Sequence, residues 1–132
     1  MVLFLRFLFI AIIAAMLWAT GTASLQQSLG DFARSATIRD PWVIATLFDA
    51  YFAFLAFFVW VAWKEGTMLA RALWFIALML LGNFAIAAFM LRELFAVPTT
   101  GPLTDVFTRR NPGHLFLPSL LTGLSVAVYW LA

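Results

Sequence analysis

Long apolar runs alternate with shorter polar segments along the chain, and this pattern predicts membrane-spanning helices. The runs are 19 to 23 residues long and carry at most one charged residue each. As helices rising about 1.5 Å per residue, they can each cross about 30 Å of hydrocarbon. The predicted spans are about 2–20, 41–63, 72–91 and 114–132. We therefore expect an all-α integral membrane four-helix bundle, with residues 1–132 forming a single transmembrane domain.

Residues that start helices support these bounds. Asp40 before Pro41 is typical of an N-cap followed by proline at the first helical position, and Asn111 before Pro112 repeats the arrangement. In the first loop, residues 24–27 match a capping box and are followed by apolar residues at helical spacing. We expect a short helix there, lying at the membrane interface.

Composition excludes several classes of protein. Hydrophobic residues make up 65% of the chain and charged residues 11%, whereas a soluble domain is nearer half apolar and a quarter charged. Eight Lys and Arg against six Asp and Glu give a net charge of +2, which does not suit a nucleic-acid-binding protein. The chain has no cysteine, so disulfides and cysteine-ligated metals are excluded.

Charge in the loops predicts an orientation. If all four runs cross the membrane, the long first and third loops share a face that carries Arg34, Arg39, Arg92, Arg109 and Arg110. The other face carries Arg6, Lys64 and Arg71. The positive-inside rule then puts the long loops in the cytoplasm and both termini outside, in what we expect to be a bacterial inner membrane. A cleaved secretory signal is the alternative interpretation of the first run, which follows Arg6.

A few polar residues lie inside the predicted spans. Asp49 is the only acid well within one, and Asn83 and Thr122 are predicted at a similar depth, with Ser119 and Ser125 one turn to either side of Thr122. Buried polar groups in membranes either hold helices together or line a functional cavity. Both interpretations of this polar layer remain open: a packing clasp, or a site that binds a ligand or carries a proton.

Other candidates lie on the loops. The candidates are Arg39, Arg109, Arg110 and His114. Arg109 and Arg110 are expected to anchor their loop at lipid phosphates, with an anionic substrate as the alternative, and His114 is expected to contact a headgroup or the loop. Glu65 and Glu93 are predicted at opposite faces of the membrane. No serine-hydrolase elbow, zinc-protease motif or phosphate-binding glycine loop is present, so the sequence favours no enzyme and no metal site.

Residues 39–51, 59–65 and 80–83, including Asp40-Pro41-Trp42 and Asp49-Ala50-Tyr51, resemble an uncharacterised family known only as a domain of unknown function. Its members are small four-helix membrane proteins of bacteria and photosynthetic organisms. The resemblance covers mainly residues 39–91. It implies a stand-alone helical membrane domain and no particular activity.

Three functions remain open at this point. The leading hypothesis is a non-enzymatic accessory or assembly subunit, or a protein that binds a lipid, quinone or carotenoid. The second is a small homodimeric proton-coupled transporter that uses Asp49. The third is a membrane enzyme acting on an isoprenoid or lipid, with Asp49 as general acid. The expected partners are membrane lipids and further copies of the chain or a larger membrane complex, without nucleic acid.

Overall fold

The computed structural model describes residues 1–132, and all of its regular structure is helical. The helices are α1 (Val2–Gln26), α2 (Leu29–Arg34), α3 (Pro41–Lys64), α4 (Met68–Leu81), α5 (Asn83–Phe95), α6 (Leu103–Thr108) and α7 (Phe116–Leu131). A short 3-10 helix, Ala36–Arg39, precedes α3. The all-α prediction is confirmed. By length and composition only α1 and α3 qualify as membrane spans, so the predicted bundle of four membrane-spanning helices is not confirmed.

Of the two helix starts predicted before a proline, the one at Asp40 is confirmed and the one at Asn111 is wrong. The Asp40 carboxylate accepts hydrogen bonds from the backbone N–H groups of Trp42, at 2.8 Å, and Val43, so the cap of α3 is confirmed. The parallel prediction for Asn111-Pro112 is wrong, because α7 begins only at Phe116. The Asn111 side chain instead points into the fold and bonds two carboxylates.

The first loop contains a short helix, but it begins later than predicted. Because α1 continues to Gln26, Ser24 lies inside it and donates to the carbonyl of Thr20 at 2.8 Å. Ser28 is the residue that caps α2, accepting from the N–H of Asp31 at 3.1 Å. The predicted capping box at 24–27 is therefore wrong, whereas the short helix itself is present.

The predicted span 72–91 is broken at Gly82. This residue has φ +53° and ψ −120°, a conformation that side chains with a β-carbon rarely adopt. The chain reverses there, so α4 and α5 form an antiparallel hairpin in which the rings of Trp74 and Phe89 lie 4.9 Å apart edge to face. One predicted helix has thus become two short ones.

The hairpin is the centre of the fold. α1 packs along α5, and α4 lies between α3 and α7. The larger core consists of Val61, Trp74, Ala77, Leu78, Ala85 and Phe89. α7 runs parallel to α4, fixed by hydrogen bonds from Thr122 Oγ1 to the Leu73 carbonyl at 3.0 Å and from the Tyr129 hydroxyl to the Leu80 carbonyl at 2.9 Å.

The hairpin also redistributes the loops between the two ends of the bundle. One end, which we call the charged end, contains the N-terminus and residues 65–67 and 96–115. The N-terminus lies there because Val2 packs against Leu94, Val97 and Val106. The far end contains residues 27–40 and the C-terminus, since a β-carbon on Gly30 would lie 3.3 Å from the carbonyl oxygen of Ala132. The long loops do not share a face and the termini lie at opposite ends, so both of those predictions are wrong.

Candidate functional site

Three segments converge at the charged end and place their polar side chains together. α3 ends in Lys64 and is followed by Glu65, α5 brings Arg92 and Glu93 in its last turn, and the connection between α6 and α7 brings Arg109 and Asn111. We call Lys64, Glu65, Arg92, Glu93, Arg109 and Asn111 the charged cluster. Its members from α5 reach those from α3 only because the chain reverses at Gly82.

Glu93 is at the centre of the charged cluster. Its carboxylate forms a 2.7 Å salt bridge with Nζ of Lys64 and a 2.8 Å salt bridge with Nη2 of Arg92. Nδ2 of Asn111 donates to Glu93 at 2.8 Å and to Glu65 at 3.1 Å, joining the two carboxylates. Arg109 contacts Glu93 at 3.5 Å.

Glu65 is held in the same network. Its carboxylate forms a salt bridge with Nη2 of Arg92, and its backbone carbonyl accepts from Nε of Arg71 at 3.0 Å. The chain around Asn111 is fixed as well, because its N–H donates to the carbonyl of Lys64 at 2.8 Å. The prediction that Glu65 and Glu93 lie at opposite faces is therefore wrong.

Aromatic rings form one wall of the charged cluster. The Arg92 guanidinium lies over the ring of Phe89 at 4.6 Å and that of Trp74 at 5.1 Å. Nζ of Lys64 lies 5.1 Å from the ring of Trp60 and donates to the carbonyl of Val106 at 2.6 Å. Cation–π contacts of this kind strengthen when the cation is removed from water. The basic side chains are thus held by the packing as well as by the carboxylates.

The interior of the charged cluster is sealed from solvent. Lys64, Glu65 and Glu93 are completely buried. The Glu93 carboxyl lies beyond the apolar part of α5. Its burial, taken by itself, would raise its pKa. Hydrogen bonds from Lys64, Asn111 and Arg92 outweigh burial and lower that pKa below its ordinary value of 4.5. Glu93 is therefore ionised at neutral pH and holds its cations in place.

A cavity opens beside the charged cluster. It has a volume of about 270 Å³ and is lined by Arg92, Ala96, Arg109, Asn111, Pro112 and His114. A second cavity of about 310 Å³ adjoins it, sharing Ala96 and Arg109. Neither carboxylate of the charged cluster lines these cavities, so a ligand there would meet the arginines first.

The predicted polar layer inside the bundle is not assembled. Asp49 and Asn83 are both exposed and form no side-chain hydrogen bond. The predicted depth of Asn83 assumed one continuous helix over 72–91, and this does not hold because Asn83 follows the reversal at Gly82. Thr122 bonds the Leu73 carbonyl, Ser125 is buried and donates to the Thr122 carbonyl at 2.7 Å, and Ser119 is exposed.

The loop candidates are divided between the two ends. Arg39 lies at the far end, in the 3-10 helix before α3. Arg109 and His114 line the 270 Å³ cavity. Arg110 is next to Arg109 in sequence but stacks over the ring of Trp63 at 4.8 Å and does not line the cavity.

The sequence contained two signals for the charged cluster that the interpretation of 72–91 as one helix concealed. Basic-acidic pairs, Lys64-Glu65 and Arg92-Glu93, flank the apolar stretch on either side. Within the stretch, glycine precedes asparagine at positions 82 and 83, a pairing typical of turns. Read together, they indicate a hairpin that returns one pair to the other. No group of three or more His, Cys, Asp or Glu side chains converges as metal ligands would.

Comparison with known proteins identifies a family. No curated protein and no solved structure matches the chain. One family model covers the chain from its first residue to Pro112, a stretch that contains the entire charged cluster and ends before α7. The chain therefore belongs to the family described as protein of unknown function (DUF1475), whose model matches residues 1–112.

Proposed function

We propose that this chain is a non-enzymatic integral membrane protein that binds a lipophilic molecule, alone or as an accessory subunit of a larger membrane assembly. The observation that carries the proposal is the exposed apolar surface of the two longest helices. α1 buries only Val2, and α3 buries only Val61 and Lys64. Side chains such as Phe4, Phe7 and Trp42 are 65–82% exposed.

Such a surface is costly in water. Burying one large apolar side chain is worth about 1.5–3 kcal/mol, and most of α1 and α3 consists of such residues. Soluble monomers rarely expose a contiguous apolar patch larger than a few hundred Å². Lipid, or other apolar helices within a membrane, would cover these faces without that penalty.

The chemistry of the charged end supports binding rather than catalysis. Glu65 and Glu93 are buried, and both carboxylates are engaged by Arg92 and Asn111. A general acid or base must reach the proton that it transfers. Glu65 Oε2 has no partner but is buried with the rest of the carboxylates, so neither acid reaches a substrate unless the charged cluster opens. The charged cluster is therefore a fixed support for the neighbouring cavity.

The positions of the basic residues support an orientation. Six of the eight lie at or beside the charged end: Arg6, Lys64, Arg71, Arg92, Arg109 and Arg110. Arg34 and Arg39 lie at the far end. Under the positive-inside rule this distribution favours a cytoplasmic charged end, with an inner membrane of a bacterium as the expected location.

Membrane extraction tests the proposal. We expect the full-length protein to stay in the membrane pellet after washing at alkaline pH and to require detergent for release. Native mass spectrometry of the detergent-purified protein should then show the chain with added mass from a lipid or another lipophilic molecule, or with partner chains. Release by the alkaline wash, or a bare monomer after gentle extraction, would count against it.

A small proton-coupled transporter is the second candidate, and the exposure of Asp49 favours it. This carboxylate lies on the apolar surface of α3 without a hydrogen bond inside the chain. Charged groups in membranes usually find a partner, which a second copy would supply. Reconstituted proteoliposomes should then show proton-driven transport that Asp49→Asn abolishes. Transport that is unchanged in Asp49→Asn excludes the role of Asp49.

A further inference from the structure

We propose that the 270 Å³ cavity beside the charged cluster binds a phosphate group, carried by a lipid headgroup or free in solution. The proposal rests on the proposed function and deepens it, since it names the chemical class that the lipophilic ligand presents at the charged end. It depends on the residues that line the cavity, on the hydrogen-bond donors left without partners, and on the balance of charge.

The cavity is large enough and has the right chemistry. Its 270 Å³ far exceed the roughly 30 Å³ that one water molecule occupies in the liquid. Two arginines, one asparagine and one histidine contribute to its lining, and no carboxylate does. In the adjoining 310 Å³ cavity Asp105 is present, so an anion is better accommodated in the first.

Donors of the two arginines remain unused. Arg92 engages carboxylates through Nε and Nη2, and its Nη1 has no partner. Arg109 makes one long contact through Nη2, and its Nη1 has no partner. Its Nε also has no partner but is buried out of reach of a ligand. Phosphate oxygens match the planar fork of a guanidinium, so the free Nη1 groups of the two arginines suit a phosphate.

The charge balance also favours an anion. Lys64, Arg92 and Arg109 supply three positive charges, and Glu65 and Glu93 supply two negative charges, so 3 − 2 leaves one positive charge uncompensated. Glu93 is shared by all three cations, and Arg109 is the most distant of them at 3.5 Å. Its side chain is 39% exposed, which makes it the member of the charged cluster most available to a ligand.

The position of the cavity favours a lipid as the source of the phosphate. It lies at the level where α3 and α5 end and the polar connection 96–115 begins. In a bilayer this level coincides with the headgroup layer, where basic pockets between helices bind lipid phosphates. A free phosphate would present the same oxygens, so the experiment must separate the two sources.

The test uses the full-length protein in a neutral detergent and three probes. Dioctanoyl phosphatidic acid and dioctanoylglycerol have the same acyl chains and differ in the phosphate, and sodium phosphate has no chains. We expect phosphatidic acid to bind at least ten times more tightly than dioctanoylglycerol. Arg109→Gln should weaken phosphatidic acid binding at least tenfold. Arg109→Lys, which keeps the charge and loses the fork, should have an intermediate effect.

Arg110→Gln is the matched control, since it removes a neighbouring positive charge that stacks on Trp63 outside the cavity. We expect its affinity for phosphatidic acid to stay within twofold of the wild type. Equal losses in Arg109→Gln and Arg110→Gln would indicate general surface charge and overturn the site. Thermal unfolding of each variant checks that the fold is retained, and Arg109→Lys decides the outcome if Arg109→Gln does not fold.

The three probes also separate this proposal from the broader one. If phosphatidic acid binds and sodium phosphate does not compete, the ligand is a lipid headgroup. If sodium phosphate competes at similar concentration, the site takes free phosphate. If dioctanoylglycerol binds as tightly as phosphatidic acid, the phosphate site is overturned while the binding of a lipophilic molecule stands.

Discussion

Gly82 turns so closely against Phe54 that a β-carbon at position 82 would lie 2.6 Å from Cζ of the phenyl ring. Phe54 is ten residues before the end of α3, about 15 Å along its axis. The hairpin of α4 and α5 therefore reverses beside the middle of α3. This contact sets how far the hairpin extends and thereby brings Arg92 and Glu93 to Lys64 and Glu65.

The first prediction concerns this reversal. Gly82→Ala adds a β-carbon where the backbone has φ +53° and the phenyl ring leaves no space. Backbone strain of this kind costs about 1–3 kcal/mol before the clash is counted. We expect the midpoint of thermal unfolding in detergent to fall by about 5 °C or more.

Gly123→Ala is the control for that variant. Gly123 lies within α7, and a β-carbon there would have no neighbour within 4 Å. Alanine is favoured over glycine inside a helix by about 0.5–1 kcal/mol, so its unfolding midpoint should be unchanged or higher. Equal midpoints for the two variants would show that Gly82 does not determine the hairpin.

The second prediction concerns the ion pair of Lys64 and Glu93. Both side chains are fully buried and 2.7 Å apart, so Glu93→Gln leaves a buried ammonium group without its closest carboxylate. Removing one partner of a buried pair costs about 3–5 kcal/mol. We expect a large fall in the unfolding midpoint, measured by differential scanning fluorimetry in detergent.

Asp105→Asn provides the comparison, because Asp105 is an exposed acid at the same end of the bundle. Its effect should be within about 0.5 kcal/mol. Adding Lys64→Met to Glu93→Gln should recover part of the loss, since the unpaired charge is then absent. If Glu93→Gln is as stable as Asp105→Asn, the charged cluster does not stabilise the fold.

The secondary structure was largely predictable from the sequence, whereas the charged cluster was missed because residues 72–91 were interpreted as one helix. The cap at Asp40, the apolar helices and the short helix in the first loop follow from local rules of capping and hydropathy. Glycine and asparagine at positions 82 and 83 are a local signal for a turn, but the contact between Gly82 and Phe54 that accompanies the reversal is one that local rules do not describe. That one reversal moved Glu93 from the predicted opposite face to the side of Glu65, where Asn111 bonds both carboxylates.

The third prediction concerns pH. The pKa of Glu93 is lower in the folded protein than its ordinary value of 4.5, so the folded state releases this proton more readily than the unfolded chain. The resulting stabilisation is fully present above the unfolded-state pKa and is lost as the pH falls through the folded-state pKa. We expect a constant unfolding midpoint from pH 7 to about 5.5 and a decline below about 4.5.

Glu93→Gln removes the titrating group, so the decline should be reduced in that variant relative to its own value at pH 7. A wild-type midpoint that stays constant down to about pH 3 would show that the Glu93 network does not contribute to stability.

The last prediction rests on the proposed membrane location and concerns the path that the chain would take through a bilayer. A four-span path puts residues 27 and 99 on one side and residue 68 on the other, because residues 72–91 would cross. The hairpin instead puts residues 68 and 99 at the charged end and residue 27 at the far end.

The chain has no cysteine, so Gln27→Cys, Met68→Cys and Thr99→Cys each introduce a single reactive thiol at an exposed position. In sealed vesicles of known orientation, a membrane-impermeant maleimide should label positions 68 and 99 from the same side and position 27 from the other. Labelling of positions 27 and 99 from the same side would contradict the hairpin. The charged cluster and its proposed phosphate site would then fall as well, because both depend on the hairpin bringing Arg92 and Glu93 to Lys64 and Glu65.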